Sequence, residues 1–323
     1  MKSILITGIS GFVGGHFSQF LLEKKSDYII YGVSRSKPKW DFIQKKDKIF
    51  HSITFKQCDL LDSAKINKLI IDIQPDYILH LASFSSVAQS WKEPLTSFLN
   101  NTNAFLNLVE AVRLQSINSK ILSVGSSEEY GIVNKRDLPL TEKKQLSPAN
   151  PYAVARVSEE QLAQVYVKGY NLNICCTRSF NHIGPGQTDN FVVSSIAKQF
   201  AEIAINHKKP VIKIGAALII RDFVDIDDVI LAYNKILEKG VSGEVYNVCT
   251  GRGYSINDII MFFSELTQIP VNLEQHKDLI RPIDNPILIG NYKKLNKDTG
   301  WNPRVPIEKS LEKIYNYWVN KLS

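Results

Sequence analysis

Tyr152 and Arg156 stand four residues apart, a spacing that places both on one face of a helix. A cation on that face favours the deprotonated tyrosine and can hold a nicotinamide ribose. Ser126 and Glu128 supply a hydroxyl and a carboxylate two residues apart, directly after an apolar run that ends at Gly125. A tyrosinate beside a serine hydroxyl can take the proton from a secondary alcohol as hydride leaves its carbon. A tyrosine and an arginine at this spacing are common on helices, so the pair gains meaning only from its company.

That company begins at the N-terminus with Thr7-Gly8-Ile9-Ser10-Gly11-Phe12-Val13-Gly14-Gly15. An apolar run precedes it and a helical pattern follows, the context that a dinucleotide-binding turn requires. Gly8 permits the tight turn, Gly11 lets backbone approach a pyrophosphate, and Gly14 lets the helix pack close to the sheet. Ser10, Phe12 and Val13 complete the start of the helix, whose unpaired N–H groups and dipole favour an anion. The second apolar run ends in Val33-Ser34-Arg35-Ser36, with no acid nearby for the ribose hydroxyls of NAD. Ser34 and Arg35 therefore favour the extra phosphate of NADP, with NAD as the alternative. Asp59 and Leu60, just past the third strand, either hold the adenine or start a helix with Asp59 as its cap.

These groups need a scaffold, and the first half of the chain alternates short apolar runs with amphipathic segments. The pattern predicts strands at 3–7, 28–33, 53–58, 77–82, 120–125 and 172–178. Helices are expected at 12–22, 64–73, 95–114 and 153–170. Strands alternating with helices imply an α/β fold: a Rossmann-like, doubly wound parallel sheet covered on both faces. After Phe180 the rhythm shortens. Pro and Gly punctuate 181–187, and helices follow at 192–205, 227–238, 256–266 and 307–318, with strands at 211–214 and 244–248. Residues 1–180 are expected to form the dinucleotide-binding domain, with some later elements returning to it. Residues 181–323 would form mainly a smaller α/β substrate-binding domain.

The 323 residues allow two domains, or one large domain with an appendage, and 44% hydrophobic with 22% charged residues excludes a disordered or collagen-like chain. The longest apolar runs, such as 29–33 and 77–82, fall far short of the ~20 residues that a membrane span needs. The first apolar stretch breaks at Gly8, too early for a signal peptide, so a cytoplasmic protein with no membrane partner is expected. The net charge of +7 is spread thinly, with one denser zone of Lys37, Lys39, Lys45, Lys46 and Lys48. A nucleic-acid binder concentrates its basic residues and interleaves aromatics, whereas this thin spread reads as a solvated Lys-rich surface, and a mild positive field suits a phosphorylated substrate. Cys58, Cys175, Cys176 and Cys249 form no CxxC pair and are expected as buried free thiols. The six histidines show no metal-ligand spacing, so no metal is expected.

Taken together, the chain resembles the extended short-chain dehydrogenase/reductase family, in the branch that acts on nucleotide sugars. The resemblance runs through the glycines of 8–14, Leu79-His80-Leu81-Ala82, Asn101, Ser126-Ser127-Glu128-Glu129-Tyr130-Gly131 and Pro151-Tyr152. It continues through Arg178-Ser179-Phe180-Asn181, Arg221-Asp222-Phe223-Val224-Asp225 and Arg281-Pro282. Residues 180–187 look most like the enzymes of GDP-sugars. The resemblance implies that Leu81 and Ala82 line the cofactor site. It also implies a GDP-sugar substrate, with Asn181, Arg221 and Arg281 on the pyrophosphate and backbone near Phe191 and Val192 on the base. Arg suits such bidentate contacts, although Arg221 beside Asp222 could instead form a local salt bridge.

One departure matters: the family motif is YxxxK, and this chain has Arg156. Arginine can hold the ribose and stabilise a tyrosinate but cannot relay a proton. A reductase needs a proton from solvent in each turnover, whereas in a 4,6-dehydratase the proton transfers can close inside the site. The resemblance gives Glu128 the dehydratase role, removing the C5 proton and helping to expel the C6 hydroxyl. A GDP-sugar 4,6-dehydratase with Ser126, Glu128, Tyr152 and Arg156 at its centre is therefore expected. The alternatives are the 4-reductase of a GDP-4-keto-6-deoxy sugar and a non-catalytic protein that senses cofactor or nucleotide sugar. Apolar residues lie on more than one face of 95–114 (Phe98, Phe105, Leu108, Val112) and of 153–170 (Val157, Leu162, Val165, Tyr166). A second apolar stripe marks an association surface, and family members pair these helices, so a homodimer or tetramer is expected.

Overall fold

The computed structural model describes residues 2–24, 28–43, 46–206, 208–280 and 283–323. The first half runs β1 (Lys2–Thr7), α1 (Phe12–Glu23), β2 (Tyr28–Ser34), α2 (Lys46–His51), β3 (Ile53–Gln57), α3 (Ser63–Ile73) and β4 (Tyr77–His80). It continues with α4 (Val87–Lys92), α5 (Pro94–Phe98), α6 (Ala104–Leu114), β5 (Lys120–Ser126), α7 (Pro151–Tyr170) and β6 (Asn173–Ser179). The second half adds β7 (Asn181–Ile183), α8 (Val192–Asn206), β8 (Val211–Ile214), β9 (Ile220–Arg221), β10 (Phe223–Asp225), α9 (Ile226–Lys239) and β11 (Val245–Val248). It ends with β12 (Tyr254–Ser255), α10 (Ile256–Thr267), β13 (Asn272–Gln275), β14 (Ile287–Leu288), α11 (Lys293–Thr299) and α12 (Ile307–Leu322).

Seven parallel strands form the central sheet in the order β3-β2-β1-β4-β5-β6-β11. Ile4, Leu5 and Ile6 are successive and all fully buried, because helices cover both faces of the sheet. On one face Ile4, Ile6, Leu79 and Leu122 meet Phe17 and Leu21 of α1 and Val229 and Ile230 of α9. On the other, Leu5, Ile78 and Ile121 meet Ile66 and Ile70 of α3, Phe105 and Val112 of α6, and Ala163 of α7. A third core joins α8, α10 and α12 around Phe200, Phe263, Ile212 and Trp318. Small sheets β7-β10, β12-β9-β14 and β8-β13 surround it. The chain order reverses between β1 and β4. Thr7 pairs with Val33 on one side and His80 on the other, which brings Gly8, Ser34 and Leu81 to one sheet edge. A crevice outside the carboxyl ends of such strands is where an α/β sheet binds its ligand.

The helix expected at 95–114 is interrupted. Between α5 and α6, Leu99–Asn103 is a π turn. Buried Asn101 explains it: its Nδ2 donates to the Ser97 carbonyl at 2.8 Å, while Oδ1 accepts from Ser83 Oγ at 2.9 Å and Phe84 N–H at 3.0 Å. A side chain inserted into the backbone ladder widens that turn. The apolar stripe assigned to association also needs correction. Phe105, Leu108 and Val112 are 0% exposed and Tyr166 only 6%, because they pack on the sheet and on α3. The exposed apolar residues of these helices are Leu95, Phe98, Leu99, Leu114, Val154, Val165 and Tyr170. All four cysteines are free and buried. Among the described residues, no helix is long and apolar enough to cross a membrane. Lys45 of the basic zone lies outside the described residues.

Candidate active site

The glycine turn has the geometry that its sequence implies. Gly8 has φ +69°, and a Cβ there would stand 2.7 Å from Ala82 N, so only glycine lets this turn close on the loop after β4. A Cβ on Gly14 would come within 2.4 Å of the Ile9 carbonyl. Leu81 N–H donates to the Thr7 carbonyl and Ala82 N–H to Thr7 Oγ1, so both line the edge beside the turn. Gly11 caps α1 without a side-chain hydrogen bond, and no acid occupies the first turn. Half-buried Ser10, Phe12 and Val13 surround this end, and the Phe12 ring packs edge-on against His16. Free backbone donors, a dipole and room for close approach fit a dinucleotide pyrophosphate.

Ser34 ends β2, is 7% exposed and donates to the Ser36 carbonyl at 2.7 Å. Arg35 is exposed and touches Asn100 Oδ1 at 3.4 Å. Asp59 does not cap the next helix. Asp62 does, accepting from Lys65 N–H, while Asp59 Oδ1 accepts from Leu61 N–H at 3.0 Å and stays exposed. Buried Leu60 is tied by its carbonyl to Asn107 Nδ2.

The catalytic candidates converge beyond β5 and at the start of α7. Ser126 is the last residue of β5, and its Oγ accepts from Glu128 N–H at 3.2 Å. Pro151 opens α7 and Asn150 caps it, accepting from Ala153 N–H at 2.8 Å. The same Asn150 donates its Nδ2 to Glu128 Oε2 at 3.0 Å, which fixes the half-buried carboxylate two residues from Tyr152. Tyr152 is 6% exposed, and its hydroxyl accepts from Arg156 Nε at 3.3 Å. The shared helix face is therefore real. Arg156 is 4% exposed, and its Nη1 donates to Glu159 Oε2 at 2.6 Å. Burial opposes its charge, but Glu159 and the Tyr152 hydroxyl outweigh burial and keep the guanidinium protonated. Burial, with Glu160 nearby, pushes Glu129 well above the usual carboxylate range, and its Oε1 accepts from Ser126 N–H at 2.6 Å.

The substrate candidates are less uniform. Asn181 begins β7, half-buried, and Phe191 and Val192 stand exposed at the start of α8. Arg221 is 3% exposed, and its local bridge to Asp222 does not form. Its Nη2 donates to Asp284 Oδ1 at 2.6 Å and its Nη1 to the Asn285 carbonyl at 2.7 Å. Asp222 instead accepts from the N–H and hydroxyl of Thr250 and the N–H of Gly251. Arg281 lies outside the described residues.

Sequence reasoning missed Asn150, Glu129 and Glu159. Asn followed by Pro is a helix-start signal, and an acid three residues after an arginine signals a helix-face pair, so two of the three were findable.

The family model described as GDP-mannose 4,6 dehydratase matches residues 5–314, and the chain belongs to that family, within the extended short-chain dehydrogenases/reductases. It is 29% identical over 321 residues to a GDP-6-deoxy-D-mannose reductase of Pseudomonas aeruginosa, covering 99% of this chain and 98% of that one. It is 26% identical to a GDP-mannose 4,6-dehydratase of Yersinia enterocolitica, covering 95% of this chain and 91% of that one. The solved structure of RMD from Pseudomonas aeruginosa complexed with NADPH superimposes with a TM-score of 0.86 at 28% identity, covering 99% of this chain and 100% of that one.

Proposed function

We propose that this protein is a GDP-sugar 4,6-dehydratase that forms a GDP-4-keto-6-deoxy sugar with NADP as its resident cofactor. The observation that carries this reading is the Asn150 amide, which holds Glu128 at the helix end bearing Tyr152. In this reading Tyr152 takes the C4 hydroxyl proton, Ser126 steadies the C4 oxygen, and Arg156 favours the tyrosinate. Glu128 removes the C5 proton and protonates the departing C6 hydroxyl. A nicotinamide held outside β1 and β4 would supply the reversible hydride transfer that this chemistry needs. Ser34, Arg35, the glycine turn, Asp59, Leu60, Leu81 and Ala82 would hold that cofactor. The diphosphate falls to Asn181, Arg221 and Arg281, with the base near Phe191 and Val192. The presence of Ser126, Glu128 and Tyr152 in one place speaks against a merely sensing protein.

A second reading, the 4-reductase of a GDP-4-keto-6-deoxy sugar, is favoured by the relative from Pseudomonas aeruginosa, which matches over 98% of its length. Incubation with GDP-mannose and other GDP-sugars, without added NADPH, separates the two. Loss of the mass of one water supports the dehydratase. No product until a 4-keto sugar and NADPH are both supplied overturns it in favour of the reductase. The four buried free thiols support a reducing, cytoplasmic setting. The exposed residues Leu95, Phe98, Leu99, Val154 and Val165 support pairing of two copies through α5 and α7.

A further inference from the structure

We propose that Glu159 is a positioning residue for the Tyr152–Arg156 pair: its carboxylate anchors the inner end of the Arg156 guanidinium so that Nε stays on the tyrosine hydroxyl. The inference rests on the assignment of Tyr152 as the proton acceptor.

The need for such an anchor follows from the residue type. A guanidinium carries five donors in a rigid fork, and one that is 4% exposed must find acceptors at both ends. Nε reaches the Tyr152 hydroxyl at 3.3 Å, and Nη1 reaches Glu159 Oε2 at 2.6 Å. Glu159 is itself held, because its Oε1 accepts from Ser123 Oγ on β5 at 2.5 Å. The sheet thus fixes the carboxylate, the carboxylate fixes the fork, and the fork fixes the tyrosine hydroxyl. An ammonium is a compact point charge on a flexible stem and needs no second anchor of this kind.

Removing the anchor would change more than packing. Beside the fork lies a narrow space, with no room for a water-sized sphere, lined by Ser123, Glu129, Glu160 and Cys176 among others. Glu129 Oε2 faces no hydrogen-bond partner there, although it lies 3.9 Å from Arg178 Nε. Without Glu159 the guanidinium would be drawn towards Glu129 and away from Tyr152. Charged and titratable groups face the pair from every packed element. His80 of β4 stands 4.0 Å from Glu159 Oε1, Glu129 follows β5, and Glu160 lies on α7 itself. Arg178 and Cys176 approach from β6, and Tyr233 from α9. Among the described residues, Glu159 is the group besides the tyrosine that hydrogen-bonds the Arg156 side chain.

A double-mutant cycle tests the inference, with turnover at saturating GDP-sugar and KM as separate readouts. Glu159→Ala in the natural background should lower kcat by about tenfold or more, with KM within about twofold. In the Arg156→Lys background the same change should cost no more than about twofold. Equal cost in both backgrounds overturns the proposal. The Glu159→Gln variant keeps an acceptor for Nη1 but removes a negative charge, so the arginine acts on the tyrosine less compensated. The acidic limb of its kcat–pH profile should move to lower pH; a limb that stays in place while the amount of folded enzyme falls shows a merely structural role and overturns the proposal. Tyr152→Phe separates the two levels of inference. If that variant keeps activity, the reading of the site has failed. If it is inactive while both Glu159 variants behave like the natural enzyme, only the role of Glu159 has failed.

Discussion

Arg221 and Asp284, 63 residues apart in the chain, are joined by a 2.6 Å contact from Nη2 to Oδ1. The contact ties β9 to the segment before β14 and closes the small sheet β12-β9-β14. The guanidinium has little exposure left, so a substrate diphosphate would meet an arginine already oriented by a carboxylate and two carbonyls. Arg221→Ala removes that orientation and takes one charged partner from the Asp284 carboxylate. We expect a loss of about 2–3 kcal/mol of stability, discounted for the part of Asp284 that remains exposed. GDP affinity, measured by calorimetry on the folded variant, should also fall. A variant that is destabilised yet binds GDP as tightly as before would remove Arg221 from the diphosphate site.

Asn150 offers a second test because it serves two ends at once. Asn150→Ala removes the cap of α7, which should cost about 1 kcal/mol in denaturant unfolding. It also removes one hydrogen bond that orients Glu128, and turnover should fall by more than the stability loss explains. Asn150→Asp restores the cap acceptor but sets a carboxylate against Glu128. Its stability should recover while turnover stays low. Recovery of both would mean that the tie to Glu128 carries no function.

Much of the sheet could be read from the chain because its strands are fully buried and therefore appear as continuous apolar runs. Ile4–Ile6 and Ile121–Leu122 are such runs, and the glycine turn beside them follows from φ and close approach alone. The small strands of the second half could not be read. Ile220–Arg221 and Ile287–Leu288 are two residues long and carry no period. The π turn was hidden for a different reason: Asn101 disrupts its helix through bonds to Ser83 and Phe84, which lie 18 and 17 residues away. Within the site, Tyr152–Arg156 was legible because it is local to one helix. Arg221 reads from the sequence as a pyrophosphate ligand with a bridge to Asp222 as the alternative, and nothing in the sequence signals its bond to Asp284 so far along the chain.

Association gives a third prediction, redirected by burial. Phe105 is 0% exposed within a single chain, so Phe105→Glu should unfold the protein rather than separate subunits. Phe98 is 40% exposed and Val165 58%, and a charge at either should leave the fold intact. Light scattering at micromolar concentration is expected to give a multiple of 36.5 kDa for the natural chain. The combined Phe98→Glu and Val165→Glu variant should give the single-chain mass. A natural chain that already scatters as one copy defeats the pairing outright, and a double variant that remains paired moves the interface elsewhere.

His80 provides a pH signature that is independent of turnover. It is 0% exposed on β4, and its Nδ1 lies 2.8 Å from Thr7 Oγ1. Thr7 Oγ1 also accepts from Ala82 N–H, which leaves its hydroxyl proton for Nδ1 and, by this assignment, places the imidazole proton on Nε2 towards Glu159. Burial lowers the His80 pKa from 6.5 to about 4, with Glu159 opposing that fall and Arg156 adding to it. Between these two values the unfolded chain binds more protons than the folded one, so stability rises with pH across that window and levels off above it. Acidification from pH 7 to pH 4.5 should therefore weaken the fold through this group by about 2–3 kcal/mol. Other buried carboxylates titrate in the same range, so the measurement is a difference. Urea midpoints at pH 7 and pH 4.5 are compared between the natural chain and His80→Gln, which keeps a polar group beside Thr7 but cannot take up the proton. The drop should be clearly smaller in the variant; an equal drop would mean that His80 is protonated in the folded state as readily as in the unfolded one.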